Sequence, residues 1–188
     1  YTLTRTWTAT DVGGNETSAT QIVTVQDTTA PEITTQATNI EVECDGSGNT
    51  TTLSSWLASN GGAVATDNCS VVTWTNNFTS LTDSCGTTPA TVTFTATDDC
   101  GNTSTSSATF KIKDTTAPTF TTPAPADVTV ECDAVPTAAT LVATDNCSDA
   151  TVTFNEVRTD GTCDNAYTLT RTWTATDVCG NETSATQI

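Results

Sequence analysis

The chain has 188 residues, with 22 acidic side chains against five basic ones and a formal net charge of −17. That charge repels nucleic acid and anionic membrane surfaces and suits a divalent cation, although added acid also serves solubility. No apolar run reaches the ~18 residues a membrane span needs, and His and Met are absent.

In chain order, the first predicted elements are strands. YTLTRTWTAT at the start alternates apolar residues with Thr, the period of a half-buried strand. The whole stretch Tyr1–Ile22 returns at Tyr167–Ile188 with one change, Gly13 against Cys179. The chain therefore reads as a window on a longer tandem array that begins and ends inside the same unit. DTTAP follows at Asp27–Pro31 and again at Asp114–Pro118, each time between strand-like runs. Pro stops ladder pairing and stiffens the connection, so DTTAP reads as the linker between domains. The two Asp residues lie 87 positions apart, the length of a seven-stranded sandwich. Three segments result: residues 1–26 as the last two strands of one unit, 27–113 as a complete unit, and 114–188 as a unit with its last strand truncated.

No amphipathic helix pattern is evident, while VVTWTNNF, ATVTFTAT and ATVTFNEV all alternate. The fold class is accordingly all-β: immunoglobulin-like sandwiches in tandem, in an extended array. Trp74 and Phe154 fall on the strand after ATDNCS, and Phe94, Trp173 and Trp7 on the strand before the next turn. These are core positions of a sandwich; an exposed row for sugar stacking is the alternative.

The eight Cys fall in four repeated contexts: ECD (Cys44, Cys132), DNCS (Cys69, Cys147), a loop (Cys85, Cys163) and the turn D-x-C-G-N (Cys100, Cys179). They read as disulfides formed in an oxidising compartment, because zinc would want C-x-x-C pairs or His. Cys85 and Cys100 flank a strand on the order of 25 Å long, too far for a bridge whose Cα atoms must approach within about 7 Å. In the sandwich the ECD end and the loop before strand F share one pole, and the B–C and F–G loops share the other. The expected bridges are Cys44–Cys85, Cys69–Cys100, Cys132–Cys163 and Cys147–Cys179, all within units. Gly13 stands where the other turns carry Cys. Either a Cys was removed there to avoid an orphan thiol, or the upstream unit lacks that bridge.

The same loops gather acid. Asp67 and Asp145 lie in the B–C loop, Asp98, Asp99 and Asp177 in the F–G turn, and Asp27 and Asp114 in the linkers. Strand G delivers each linker Asp to the B–C/F–G pole of the following unit. Carboxylates so close need a counter-charge, and Ca²⁺ takes six to eight oxygens from irregular loops. A Ca²⁺ at each junction is therefore expected, with the Asn of DNCS and of the turn adding oxygen. Asp as a plain turn former is the bland alternative.

DTTAP, ECD, ATDNCS and ATDxCGN, in this order and spacing, resemble the hyalin-repeat (HYR-like) immunoglobulin-like modules. They look most like the tandem arrays of Bacteroidota cell-surface proteins, including gliding-motility adhesins. The resemblance covers essentially the whole chain, with Gly13 as the departure. It implies a secreted filament on the bacterial cell surface, exported by the type IX route and serving adhesion. Asp-Thr-Thr in the linkers also looks like the Bacteroidota O-glycosylation pattern, which implies glycans on Thr28 and Thr115. The Asn-x-Ser/Thr triplets are what a Thr-rich chain carries by chance.

The expected function is a non-catalytic structural and adhesive module whose partners are further copies of the same repeat in cis, with lateral self-association into a fibre. A module that binds surface glycans, or a regular solid such as ice through Thr-x-Thr faces, is the alternative. An enzyme is not expected, because no His, nucleophile elbow or phosphate loop is present.

Overall fold

The computed structural model describes residues 1–81, 85–86, 88–163 and 165–188. The chain is mostly β-sheet. It opens with a hairpin, β1 (Thr2–Thr10) and β2 (Glu16–Thr24), that pairs with no other strand among the described residues.

Residues 27–113 form a small unit around a mixed sheet. Strand β3 (Glu32–Thr35) pairs antiparallel with β5 (Val64–Thr66) as a separate two-stranded sheet. The main sheet joins β4 (Ile40–Glu43), β6 (Thr73–Asn76), β7 (Ala90–Thr97) and β8 (Thr103–Lys113) in the order β4-β8-β7-β6. Strand β4 runs parallel to the end of β8, so a short early strand closes beside the last. The Thr/apolar alternation of β7 does what the period demands: Val92, Phe94 and Ala96 are buried, and the Thr between them are half-buried. On β8, Ala108, Phe110 and Ile112 complete the core face.

A helix covers that face, and this corrects the helix-free reading. Helix α1 (Thr50–Ala58) begins after Asn49, whose φ of 53° is left-handed. Its Thr- and Ser-rich sequence favours strand by composition. What holds it is tertiary: Leu53, Trp56 and Leu57, at i, i+3 and i+4, pack on the sheet. Trp56 meets Phe94 edge-on at 5.3 Å and Phe110 at 5.5 Å, and its indole N–H donates to Thr38 O at 3.1 Å. Each of these rings stabilises the unit by roughly 1.5–3 kcal/mol through burial. The unit thus has six strands, one α-helix and a single 3-10 turn (Asn60–Gly62) among the described residues, rather than seven strands.

Residues 114–188 repeat the plan with a different filling. Strands β9 (Thr119–Phe120) and β10 (Ala143–Thr144) pair, and β11 (Thr151–Asp160), β12 (Tyr167–Thr176) and β13 (Glu182–Gln187) form a three-stranded sheet. Asp67 follows Cys44 by 23 positions, but Asp145 follows Cys132 by only 13, and the segment between has no helix. The larger Trp173 stands in β12 where β7 has Phe94, and is 1% exposed. Its indole N–H donates to Ala139 O at 3.0 Å, as Trp56 does to Thr38. One Trp on the strand replaces a Phe on the strand plus a Trp on a helix. Of the other expected core aromatics, Trp74 is half-buried, while Phe154 stacks on Trp173 at 5.3 Å yet stays 46% exposed.

The disulfides are also a correction. Cys44 bridges Cys147 and Cys85 bridges Cys179, with Cα separations of 6.1 and 5.2 Å. Cys69, Cys100, Cys132 and Cys163 carry no bridge. Cys44 and Cys85 each have a Cys from beyond the linker within bridging range, and distances taken only inside residues 27–113 or 114–188 miss that option.

Candidate metal centre and the unit junction

The linker reaches the junction because β8 ends at Lys113 and Asp114 follows at once, buried to 6% exposure. Its backbone is tethered from both sides. Glu43 Oε1, at the end of β4, accepts the Thr115 amide at 2.6 Å, and the Thr115 hydroxyl donates to the same carboxylate. From the following unit, Asn181 Nδ2 donates to Asp114 O at 3.2 Å. Asn102 makes the corresponding bond to Asp27 O at 3.4 Å.

Two groups of three carboxylates result. Asp27, Asp67 and Asp98 each offer an oxygen within 4.8 Å of the others, and Asp114, Asp145 and Asp177 do the same. Local turn chemistry positions each member. Asp67 Oδ1 accepts the amides of Cys69 and Ser70 at 2.9 Å, and Asp145 Oδ1 those of Cys147 and Ser148 at 2.9 and 3.1 Å. In the following turns, Asp98 and Asp177 each accept both the backbone and the side-chain amide of Asn102 or Asn181 at 2.7–2.8 Å. Asp27 and Asp114 cap their own linkers through the amides of Thr29 and Thr116 at 3.1 Å.

After these bonds, among the described residues, four carboxylate oxygens are buried with no partner: Oδ2 of Asp27, Asp67, Asp114 and Asp145. An unpaired buried anion is expensive unless something positive sits beside it. Burial, with Asp145, Asp177 and Glu43 close by, pushes the Asp114 carboxyl above its usual value. Burial acts the same way on Asp98 and Asp177, but there the Asn102 and Asn181 amides win and hold both carboxyls below it. The residues therefore fit a hard divalent cation, which would take the orphaned oxygens as ligands.

The remaining expected site residues divide. Asp99 is exposed and outside the group; its amide donates to Ser70 Oγ at 3.2 Å, joining the two apical loops. The Asn102 and Asn181 amide groups hold the Asp and the linker through their N–H donors, while Asn146 Nδ2 crosses the junction to Cys44 O at 3.1 Å. Thr28 and Thr115 are both exposed in their linkers, and a substituted Thr115 Oγ1 could no longer donate to Glu43.

Three features at the joint were not foreseen. Glu43, one residue before ECD, grips the linker Thr. Gly46, at φ +72°, packs against the Asn146 carbonyl so closely that no Cβ fits. The two disulfides then lock the same contact covalently.

Neither a protein-family model nor a curated protein matches this chain. Among solved structures it is similar to protocadherin gamma B7 extracellular cadherin domains 1–4, at 11% identity and a TM-score of 0.35. That alignment covers 99% of this chain and 65% of the other, and so weak a likeness carries no argument here.

Proposed function

We propose that this chain is a non-catalytic structural module of an extracellular surface fibre, with HYR-like units stacked end to end and Ca²⁺ held at each junction. One observation carries the reading: Asp114, at the head of the connector, is buried, the linker backbone is tethered from both sides, two disulfides cross the joint, and the Asp114 carboxylate enters a group with orphaned oxygens. A hinge meant to move has no use for such a joint; a spacer that transmits load does. The bridges also match a compartment where disulfides persist.

The ion is tested by thermal melting in calcium and in chelator. Calcium at 100 times its Kd should stabilise by about 2.7 kcal/mol. Asp114→Asn makes the test specific. It should be neutral or stabilising in chelator, where it removes like-charge repulsion, and should erase most of the gain in calcium. Identical melts in both buffers, with the variant unchanged, would count against a structural ion.

A further inference from the structure

Strand β11 (Thr151–Asp160) is the outer strand of its sheet, paired with β12 on one side and with no described strand on the other. The position belongs to the repeat. In residues 27–113, where β8 and β4 close the far side of the main sheet, the corresponding β6 is also the outer strand.

The two edges differ in length. Strand β6 has four residues, and the chain then turns off, with Phe78 and Leu81 packing on the core. Asn77 closes that ladder with its side chain, whose Oδ1 accepts the Thr93 amide at 2.8 Å. A short strand and an early departure protect an edge. Asn155, at the matching place, stays in the ladder opposite Thr172, and β11 runs for ten residues without Pro or a register shift. Every residue of it except Val152 is exposed. So long and regular an edge offers its free amides and carbonyls to another strand.

The order of side chains selects that strand. Set antiparallel to itself about Val157, β11 brings Glu156 of each copy opposite Arg158 of the other, Asn155 opposite Thr159, and Val157 opposite Val157. Charge meets opposite charge, polar meets polar and apolar meets apolar. Sliding one strand by two residues puts Glu156 against Glu156 or Arg158 against Arg158, which like charge penalises. Both charged groups keep capacity for a partner. Glu156 gives Oε2 to Arg171, and Arg158 gives its Nε–H to Asp160, each at 2.7 Å, so Glu156 Oε1 and the terminal nitrogens of Arg158 remain. Arg158 also lies over the Tyr167 ring at 3.9 Å, which fixes it on this face.

We propose that β11 is a lateral docking edge whose partner is β11 of a second copy, antiparallel about a two-fold axis through Val157. Two three-stranded sheets then join as one continuous sheet. This goes beyond the end-to-end stacking proposed above and needs neither the ion nor the junction bridges.

The test follows the full chain by sedimentation equilibrium over a range of concentrations, in calcium and in chelator. Cys69, Cys100, Cys132 and Cys163 are alkylated so that no thiol can link copies. The expected result is a monomer–dimer equilibrium of equal strength in both buffers, with amide exchange in β11 slowing as the dimer fills. Val157→Lys sets two Lys face to face at the axis and should abolish the dimer; Val157 is 51% exposed, so the variant keeps its fold and its melt. Asn155→Asp with Thr159→Lys adds two opposite-charge pairs in this register and should tighten the dimer by roughly 2- to 30-fold. A peptide of residues 151–160 should compete for the edge, and a scrambled peptide should not. A chain that stays monomeric, a dimer that ignores both variants, or equal competition by the two peptides overturns the proposal. A dimer in both buffers, with a melt that ignores calcium, would retain this edge and sink the ion alone.

Discussion

The hairpins β1–β2 and β12–β13 have the same sequence apart from Gly13 and Cys179, and they differ in almost everything that concerns burial. Their registers coincide: Trp7 faces Ala19 and Trp173 faces Ala185. Their turns coincide too, with Asp11 and Asp177 each accepting the backbone and side-chain amides of an Asn four residues on. Yet Trp7 is 56% exposed and Trp173 is 1% exposed. Arg5 is exposed, while Arg171 is buried, paired with Glu156 at 2.7 Å and donating to Pro136 O. The difference is β11 and the segment through Ala139, which the second hairpin has and the first lacks. Local sequence makes a hairpin and sets its register; only a partner strand turns its apolar face into a core.

The sharpest way to break that comparison is the tryptophan. Trp173→Ala should cost about 3–5 kcal/mol, since it empties a fully buried site. Trp7→Ala should stay within about 0.5 kcal/mol. Urea denaturation of both variants decides it, and equal losses would mean that the first hairpin has a core of its own. The next effect is the pair of bridges. Replacing Cys147 and Cys179 with Ser should cost about 2–5 kcal/mol. Amide exchange should quicken in β12–β13 and stay unchanged in β1–β2, which neither bridge touches. The smallest effect sharpens the local half of the claim. Asp11 and Asp177 should both titrate below the usual 3.8 when followed by carboxyl NMR in chelator. A depressed folded-state pKa means that each turn's stabilisation is present above pH 3.8 and is lost as pH falls through the lower folded value. A normal midpoint at Asp11 would show that its turn is frayed and that the local sequence needs tertiary help even there.

Much of the candidate site was legible because its parts are local. Asp67 and Asp145 in DNCS, and Asp98 and Asp177 before the Asn, are side chains that organise their own turns within four residues, so sequence alone places them. The linker Asp follows from strand direction, since β8 can end only at one pole. Asp99, expected with Asp98 in the F–G turn, lies outside the group, and its amide joins Ser70 Oγ instead. Helix α1 was missed because Thr and Ser favour strand, and its only sign was the Leu53, Trp56, Leu57 spacing.

The alternation of Thr with apolar residues, the Asp–Asn turns and the repeated order of motifs settled strands, hairpin registers and loop chemistry, because each depends on neighbours a few positions away. Which Trp is buried, whether a Thr-rich segment becomes a helix and which Cys meets which were decided by packing between segments far apart in the chain. A thiol's nearest partner across a joint is set by how two units stack, and no spacing within one unit encodes that distance.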